Sequence, residues 1–442
     1  MVCFRPDELA RWSGGTWRNG MPGHMISGIS KDTRTLRPGD LYVALRGDRF
    51  DGHAFIQQAF EKGAVGALVD SEVDASGHTA LVVPDTLKGL QDLARGYRAQ
   101  WAVEVVGITG SVGKTTVKEM CADVLSMAGE THRTSGNYNN HIGLPLTMLS
   151  MPPSARFGVF EIGMNHPGEI GYLSGLLQPK IGILTDICNA HRESFASLEA
   201  IAFEKIYLLE SLPENGVAII DRDSPWFGMV RERTKAELRT VSLGGAANVA
   251  GTKVSEGVMR VDGFDYAMPQ PGEHTMRNAL RAIALGLEVG LAPEAIAEGL
   301  MKFKAPPMRW QETQINGIQF INDAYNANPL SMRASLGTFA GQSGAGAKWA
   351  VVGGMRELGV VAEEEHSSLG VFLDGLALDG VITVGELAQG IACKRAVGFH
   401  RCADAAEAAT ILKENLSAGD RVLLKASRGE QLEKVLERFK EL

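Results

Sequence analysis

Apolar positions along the chain follow two rhythms. Short β-rich apolar runs bounded by turn residues alternate, from end to end, with longer segments whose apolar residues recur at helical spacing, the signature of α/β architecture with mostly parallel strands. In the first hundred residues the runs "LYVAL" (41–45), "VGALV" (65–69) and "ALVV" (80–83) surround a helix expected near 53–62, which predicts a small mixed α/β N-terminal domain over residues 1–99. The strands "VEVVGIT" (103–109), "FGVFEIG" (157–163), "IGILTDI" (181–187) and "GVAIID" (216–221), separated by helix-length segments, predict a larger, mostly parallel central domain over 100–311. After the turn-rich "FKAPPMRW" (303–310) the rhythm restarts with "IQFIND", "KWAVVGG", "GVITVG" and "RVLLKAS", predicting a third α/β domain over 312–442.

The length agrees: 442 residues suggest about three domains at roughly 150 residues each. A net charge of -8 gives no broad attraction to nucleic acid or anionic membrane, so a polyanion would have to be held locally. The cysteines, Cys3, Cys121, Cys188, Cys393 and Cys402, are odd in number, scattered and without a C-x-x-C pair, which argues against a disulfide framework or structural zinc and fits a reducing cytoplasm. No run of about 18 uncharged apolar residues suggests a membrane span, and the N-terminus lacks the apolar core of a signal peptide.

Candidate chemistry gathers in the central domain. "GITGSVGKTT" (107–116) misses the generic phosphate-loop template G-x-x-x-x-G-K-[ST], because Ile108 stands where the first glycine belongs. Its context is nevertheless right. A strand precedes it, and Val117, Met120, Cys121, Val124, Leu125 and Ala128 mark one helical face after it. Strand, glycine loop and helix start aim backbone amides and the helix dipole at an anion. Lys114 supplies a positive charge for β/γ phosphates and Thr115 a hydroxyl for magnesium; no N-K-x-D guanine motif occurs, so ATP is favoured.

Glu161 ends an apolar strand and His191 lies just beyond another, where ligands of parallel sheets gather. Each suits magnesium, although a solvated strand-end acid and a loop or core histidine are the plain alternatives. Lys205 shares a helix face with Leu198, Ile201, Ala202, Leu209 and Leu212. A lysine there must snorkel, find a partner, or shift its pKa downward and become reactive.

These residues resemble the Mur ligases, the ATP-dependent amide-forming enzymes of peptidoglycan synthesis, whose loop reads T-G-x-x-G-K-[ST]; "TGSVGKTT" (109–116) fits it. The blocks "NYNNHIG" (137–143), "EIGMNHPGEI" (161–170), "AHRESFAS" (190–197), "PGEHTMRNAL" (271–280), "NDAYNANPLSM" (322–332), "GGMRELG" (353–359) and "KASR" (425–428) follow in order over nearly the whole chain. They look like the type that adds D-alanyl-D-alanine to UDP-N-acetylmuramoyl-tripeptide.

The resemblance implies a P-loop central domain that binds ATP, a Rossmann-like C-terminal domain for the amino substrate, and an N-terminal domain for the UDP end. It implies that Thr109, Gly110, Ser111, Val112, Gly113, Lys114, Thr115 and Thr116 form the nucleotide loop, with Asn278, Arg309 and Asp323 as further nucleotide contacts. Thr115 would be a magnesium ligand, Glu161 would hold one magnesium and His191 a second, and Lys205 would carry a carbamate that turns it into a metal-binding anion. Lys114, Lys205 and His191 would be the catalytic set. Thr33, Arg34, Asp51, Gly52 and His53 would hold the UDP end, while Asn139, Asn140, Tyr325, Asn326 and Asn328 would complete the substrate site. Local turn chemistry explains "RPGD" equally well, and helix capping explains Asn328 without a ligand. His274 either caps its own helix or makes contact in the site.

Departures from the family pattern are visible. Tyr207 stands two residues after Lys205 where glutamate is usual, Glu204 directly precedes the lysine, "NDAY" replaces "DDSY", and Thr275 replaces an asparagine. The chemistry implied is carboxylate activation by γ-phosphoryl transfer, attack by the dipeptide amine and loss of phosphate, in a chain expected to act as a monomer. Another Mur-type ligase or a folylpolyglutamate synthase, with a different amino substrate, is the neighbouring alternative.

Overall fold

The structure is a computed structural model that describes residues 2–47, 50–70, 77–394 and 398–442. Asp48 and Arg49, within the stretch expected to hold the UDP end, lie outside the described residues. Three large sheets succeed one another along the chain.

The N-terminal sheet runs Thr16–Arg18, Ala80–Val83, Gly66–Asp70, Asp40–Val43, Gly28–Ser30, with only the first pair antiparallel. Its three inner strands are the buried apolar runs of the sequence. The two edge strands are short and part-exposed, so they carry no apolar signature. The expected helix near 53–62 is a 3-10 turn, Gly52–Phe55, followed by the α-helix Ile56–Glu61; the Asp51 carboxylate caps the turn by accepting from the His53 amide.

In the central sheet the strands run in parallel as Thr131–Arg133, Phe157–Glu161, Glu104–Thr109, Ile181–Leu184, Val217–Asp221, Glu237–Leu243 and Val249–Ser255. Val258–Val261 and Phe264–Ala267 extend it antiparallel. Alternate side chains of Glu104–Thr109 enter opposite cores, as the two-residue strand period requires. Val106 and Ile108 pack with Val117, Met120 and Ile283, while Val105 joins Ile201, Leu208 and, from the N-terminal part, Leu90 and Leu93. One core is thus continuous between the N-terminal and central sheets.

Glu104–Thr109 lies between Phe157–Glu161 and Ile181–Leu184, so the chain builds Thr131–Arg133 and Phe157–Glu161 on one side of it and then crosses to the other for Ile181–Leu184. That reversal opens a crevice at the carboxyl ends of the strands.

The third sheet runs Gln311–Ile315, Ile318–Asn322, Arg421–Lys425, Lys348–Gly353, Gly380–Val384, Phe399–Cys402, with only the first pair antiparallel. Its opening hairpin turns on Asn316 and Gly317, at φ 53 and 78, the Asn-Gly pair favoured in two-residue hairpins. The helix Pro329–Gly341 starts at a complete capping box between Asn328 and Ser331, with Pro329 in its first turn.

Candidate active site

The strand Glu104–Thr109 delivers the glycine loop into a cleft of about 360 Å³ lined by residues of the central and third sheets. Gly110 has φ 150, and a Cβ there would lie 1.8 Å from Thr185 Oγ1. Gly113 has φ 87, and its Cβ would come within 2.8 Å of Asn278 Oδ1. Only glycine fits either position.

Thr109 is fully buried and its hydroxyl donates to Ile162 O at 2.8 Å, so it roots the loop in the sheet. The Ser111 and Val112 amides donate to Asp186 O at 2.8 and 3.1 Å, and Ser111 Oγ donates to Cys188 O at 3.1 Å. These expected nucleotide contacts are therefore turned toward protein acceptors here. The helix Lys114–Leu125 makes its first intrahelical bond from Val117 N to Gly113 O. The amides of Lys114, Thr115 and Thr116 precede that bond, at the helix N-terminus that borders the cleft.

Lys114 Nζ donates to Gly110 O at 2.8 Å. Burial pushes its pKa down, Glu161 opposes the shift, and Arg309 adds to it. Thr115 Oγ1 accepts from Arg309 Nη2 at 3.1 Å, and the Arg309 guanidinium lies 4.3 Å from the Tyr325 ring centre. Arg309 therefore links the phosphate loop to the loop that follows Ile318–Asn322.

Glu161 is 3% exposed. Its Oε1 accepts from Asn139 Nδ2 at 2.7 Å, while its Oε2 is buried with no hydrogen-bond partner among the described residues. An orphaned carboxylate oxygen bordering a cleft that also holds Thr115 and His191 suits a hard divalent cation. Among the described residues no cluster of three or more His, Cys, Asp or Glu could hold a metal alone; such an ion needs a hydroxyl, a modified lysine or substrate oxygens as well.

Lys205 is 1% exposed, which excludes snorkelling. Among the described residues it makes no hydrogen bond or ion pair, and its pKa is pushed well down, first by burial and then by the charge of Lys114. The preceding Glu204 does not pair with it. Its carboxylate accepts from Gly168 N and Ile170 N, both at 2.9 Å, and so caps the helix Glu169–Leu177.

His191 sits at φ 58 with Nδ1 2.5 Å from Glu357 Oε2, and that contact holds the Glu357 carboxyl below its ordinary range.

The third sheet supplies the opposite wall. Asp323 accepts from Trp310 N at 3.1 Å through Oδ1, and from Ser335 Oγ and Lys425 Nζ, both at 2.6 Å, through Oδ2. Asn326 Oδ1 accepts from Ala327 N. Asn328 is engaged in its capping box, the role that needs no ligand. His274 does not cap its helix; Gly272 holds that position without a side-chain bond. Its ring lies 3.5 Å from Thr338 Oγ1, and burial pushes its pKa down. Asn140 Oδ1 accepts from Ile142 N and Gly143 N.

The residues expected to hold the UDP end stand apart from this cleft. Thr33 Oγ1 donates to Gln58 Oε1 at 2.7 Å, and Arg34 forks onto Asp32. Asp51 pairs with Arg46 and His53, Gly52 N donates to Leu45 O, and His53 Nε2 accepts from Asp70 N at 3.2 Å. A separate cavity of about 230 Å³ lies between Ile29–Asp32 with Thr35 and the central residues His132, Arg133, Ser135 and Tyr138.

Lys425, Ser335 and Glu357 were not singled out from sequence. Lys425 had a legible signal, a lysine closing the apolar strand Arg421–Lys425; the other two act through contacts distant in sequence.

A glycine loop feeding a two-sheet cleft, with an orphaned carboxylate and a buried unpaired lysine beside it, defines a nucleotide-dependent ligase of Mur type. Family models match in succession: "Mur ligase family, catalytic domain" over residues 25–98, "Mur ligase middle domain" over 108–286, and "Mur ligase, glutamate ligase domain" over 308–428. The chain belongs to the Mur ligase family. It is 38% identical over 426 residues, 93% of each chain, to the UDP-N-acetylmuramoyl-tripeptide--D-alanyl-D-alanine ligase of Bacillus subtilis. It superposes on MurF of Acinetobacter baumannii with a TM-score of 0.91 at 31% identity, covering 100% of this chain and 99% of that one. MurF of Thermotoga maritima in complex with ADP gives a TM-score of 0.83 at 28% identity, over 94% and 97% of the two chains.

Proposed function

We propose that this chain joins D-alanyl-D-alanine to UDP-N-acetylmuramoyl-tripeptide at the expense of ATP, releasing ADP and phosphate. The observation that carries the reading is the meeting of Lys114 and the orphaned Glu161 oxygen at one cleft whose far wall bears Asp323 and Tyr325, with the unpaired Lys205 buried close enough behind it to feel the charges of both.

The helix N-terminus at Lys114–Thr116 binds the phosphates of ATP, with Asn278, Arg309 and Asp323 as further contacts. Transfer of the γ-phosphoryl group to the tripeptide carboxylate makes an acyl phosphate; the dipeptide amine attacks its carbonyl carbon, and phosphate leaves from the tetrahedral intermediate. Lys114 stabilises the charge on the moving phosphoryl group. Thr115, Glu161, His191 and a carbamate on Lys205 would hold two magnesium ions, Glu161 on one and His191 on the second, which would neutralise the crowded phosphate oxygens. Carbamate formation needs a neutral amine, and burial beside Lys114 favours one. It would also replace repulsion between two lysines with attraction.

Tyr325 and Asn326 face the incoming dipeptide, with Asn328 shaping their loop. Asn139 orients Glu161, Asn140 caps the segment behind it, and Thr33, Arg34, Asp51, Gly52 and His53 receive the UDP end. The division into 1–99, 100–311 and 312–442 is part of the reading, as is action of a cytoplasmic monomer. All five cysteines are free, and no described helix is long and apolar enough to cross a membrane.

Phosphate release measured with UDP-N-acetylmuramoyl-tripeptide and ATP tests the reading. D-alanyl-D-alanine should trigger release, whereas diaminopimelate and glutamate should not; the opposite preference would overturn it.

A further inference from the structure

The loop that carries His191 is gripped from the third sheet's side of the molecule at three points, one of them on His191 itself. Glu357 Oε2 lies 2.5 Å from His191 Nδ1, Glu357 O accepts from Arg192 N at 2.8 Å, and Glu365 Oε1 accepts from Asn189 Nδ2 at 2.9 Å. The grip uses unusual backbone on both sides, with His191 at φ 58, Glu357 at φ 62 and Gly359 at φ 54. A non-glycine residue in the left-handed region costs free energy and persists where its surroundings enforce it. At Gly359 the left-handed φ is what favours glycine, and the position abuts the histidine loop: a Cβ there would sit in ordinary contact with Glu193 N at 3.4 Å and Arg192 C at 3.5 Å. Glu357 itself is 55% exposed on its side chain, so core packing does not explain its conformation. Contact with the histidine loop does.

We propose that Glu357 is a positioning residue that fixes the His191 ring, so that the cation site is complete only while the loop of residues 354–361 is docked on the loop of residues 189–193. By accepting the Nδ1 proton, the Glu357 carboxylate leaves the Nε2 lone pair free for a cation. Ligand histidines are commonly oriented through their second nitrogen in this way, and loss of the orienting partner typically lowers metal affinity about 10- to 100-fold. The third domain thereby does more than deliver the amino substrate: its docking sets the geometry of a ligand belonging to the central domain. This inference rests on the reading of His191 as a cation ligand.

The test uses the full-length protein with ADP, and Mn²⁺ as the probe, titrated by electron paramagnetic resonance. Glu357→Ala should weaken Mn²⁺ binding at least about tenfold, leave metal-free ADP binding within about twofold, and shift the ¹⁵N signals of His191 away from the Nδ1-protonated tautomer. Glu357→Gln, which can still accept from Nδ1, should restore most of the Mn²⁺ affinity and the tautomer. Unchanged Mn²⁺ affinity and an unchanged tautomer in Glu357→Ala would overturn the inference. His191→Ala with wild-type Mn²⁺ affinity would overturn both this inference and the metal role of His191. If Glu357→Ala shifts Mn²⁺ binding while the wild type fails to ligate D-alanyl-D-alanine, the positioning role stands and the substrate reading falls.

Discussion

Replacing Lys205 with methionine should make the protein more stable and inactive at the same time. The side chain is 1% exposed and has no partner among the described residues. Burial without a partner, with the charge of Lys114 nearby, holds its amine well below the ordinary value of 10.5 and so disfavours the folded state relative to the unfolded chain. Methionine is similar in size and needs no charge. The variant should gain about 2 kcal/mol, by analogy with the range of about 1–4 found when buried ion pairs give way to well-packed apolar groups.

For a cooperative unit of about 150–250 residues that corresponds to about 4–8 °C in apparent Tm. The sign also fixes a pH dependence. A lysine whose folded pKa is depressed lowers stability most when the unfolded chain is fully protonated, and the penalty fades as pH rises toward 10.5. The advantage of Lys205→Met should therefore shrink between pH 7.5 and pH 9.5. Thermal unfolding in carbon-dioxide-free buffer measures it, and bicarbonate with magnesium should stabilise the wild type and leave the variant unchanged. Ligation by the variant should fall at least about 100-fold. A variant less stable than wild type, or one that ligates within tenfold of it, would refute the reasoning.

Gly110→Ala places a Cβ 1.8 Å from Thr185 Oγ1 at φ 150; it should cost about 2–4 kcal/mol and reduce kcat/KM for ATP at least about 100-fold, read by urea unfolding and steady-state kinetics. Asn328→Ala removes one side of the capping box and should cost about 1 kcal/mol, with the KM for D-alanyl-D-alanine changed less than about threefold. The Asp32 carboxyl, held at about 2 by its hydrogen bonds from Arg34, should titrate there by NMR. Its contribution should be full above the ordinary value of 3.8 and lost as pH falls through about 2. Because Arg34 is 84% exposed, Asp32→Asn should cost no more than about 0.5 kcal/mol at neutral pH.

Most inner strands of the three sheets were legible because parallel strands buried on both faces read as unbroken apolar runs; Glu237–Leu243, part-exposed and mixed in composition, was not. The extension Val249–Ser255, Val258–Val261 and Phe264–Ala267 was not, because much of its surface is exposed and its residues are mixed. Lys205 betrayed itself by its helical period, since local spacing places it on a buried face whatever the rest of the chain does. Glu357 gave no such sign: its partner His191 is joined to it only by the docking of two loops. The same holds for Arg309 on Thr115, separated by 194 positions. Asn328 and His274 each offered two local readings that composition alone could not separate; hydrogen-bond geometry assigns the cap to Asn328 and denies it to His274. Thr33, Arg34 and His53 had the residue types of a binding segment, yet here their polar atoms are satisfied by their own neighbours.

The most direct test of carboxylate activation follows an oxygen atom. UDP-N-acetylmuramoyl-tripeptide labelled with ¹⁸O in its terminal carboxylate is incubated with ATP, magnesium and D-alanyl-D-alanine, and the released phosphate is analysed by mass spectrometry. An acyl phosphate requires one labelled oxygen to pass from the carboxylate to phosphate in each turnover, with formation of the pentapeptide product. Unlabelled phosphate accompanying pentapeptide formation would contradict the account.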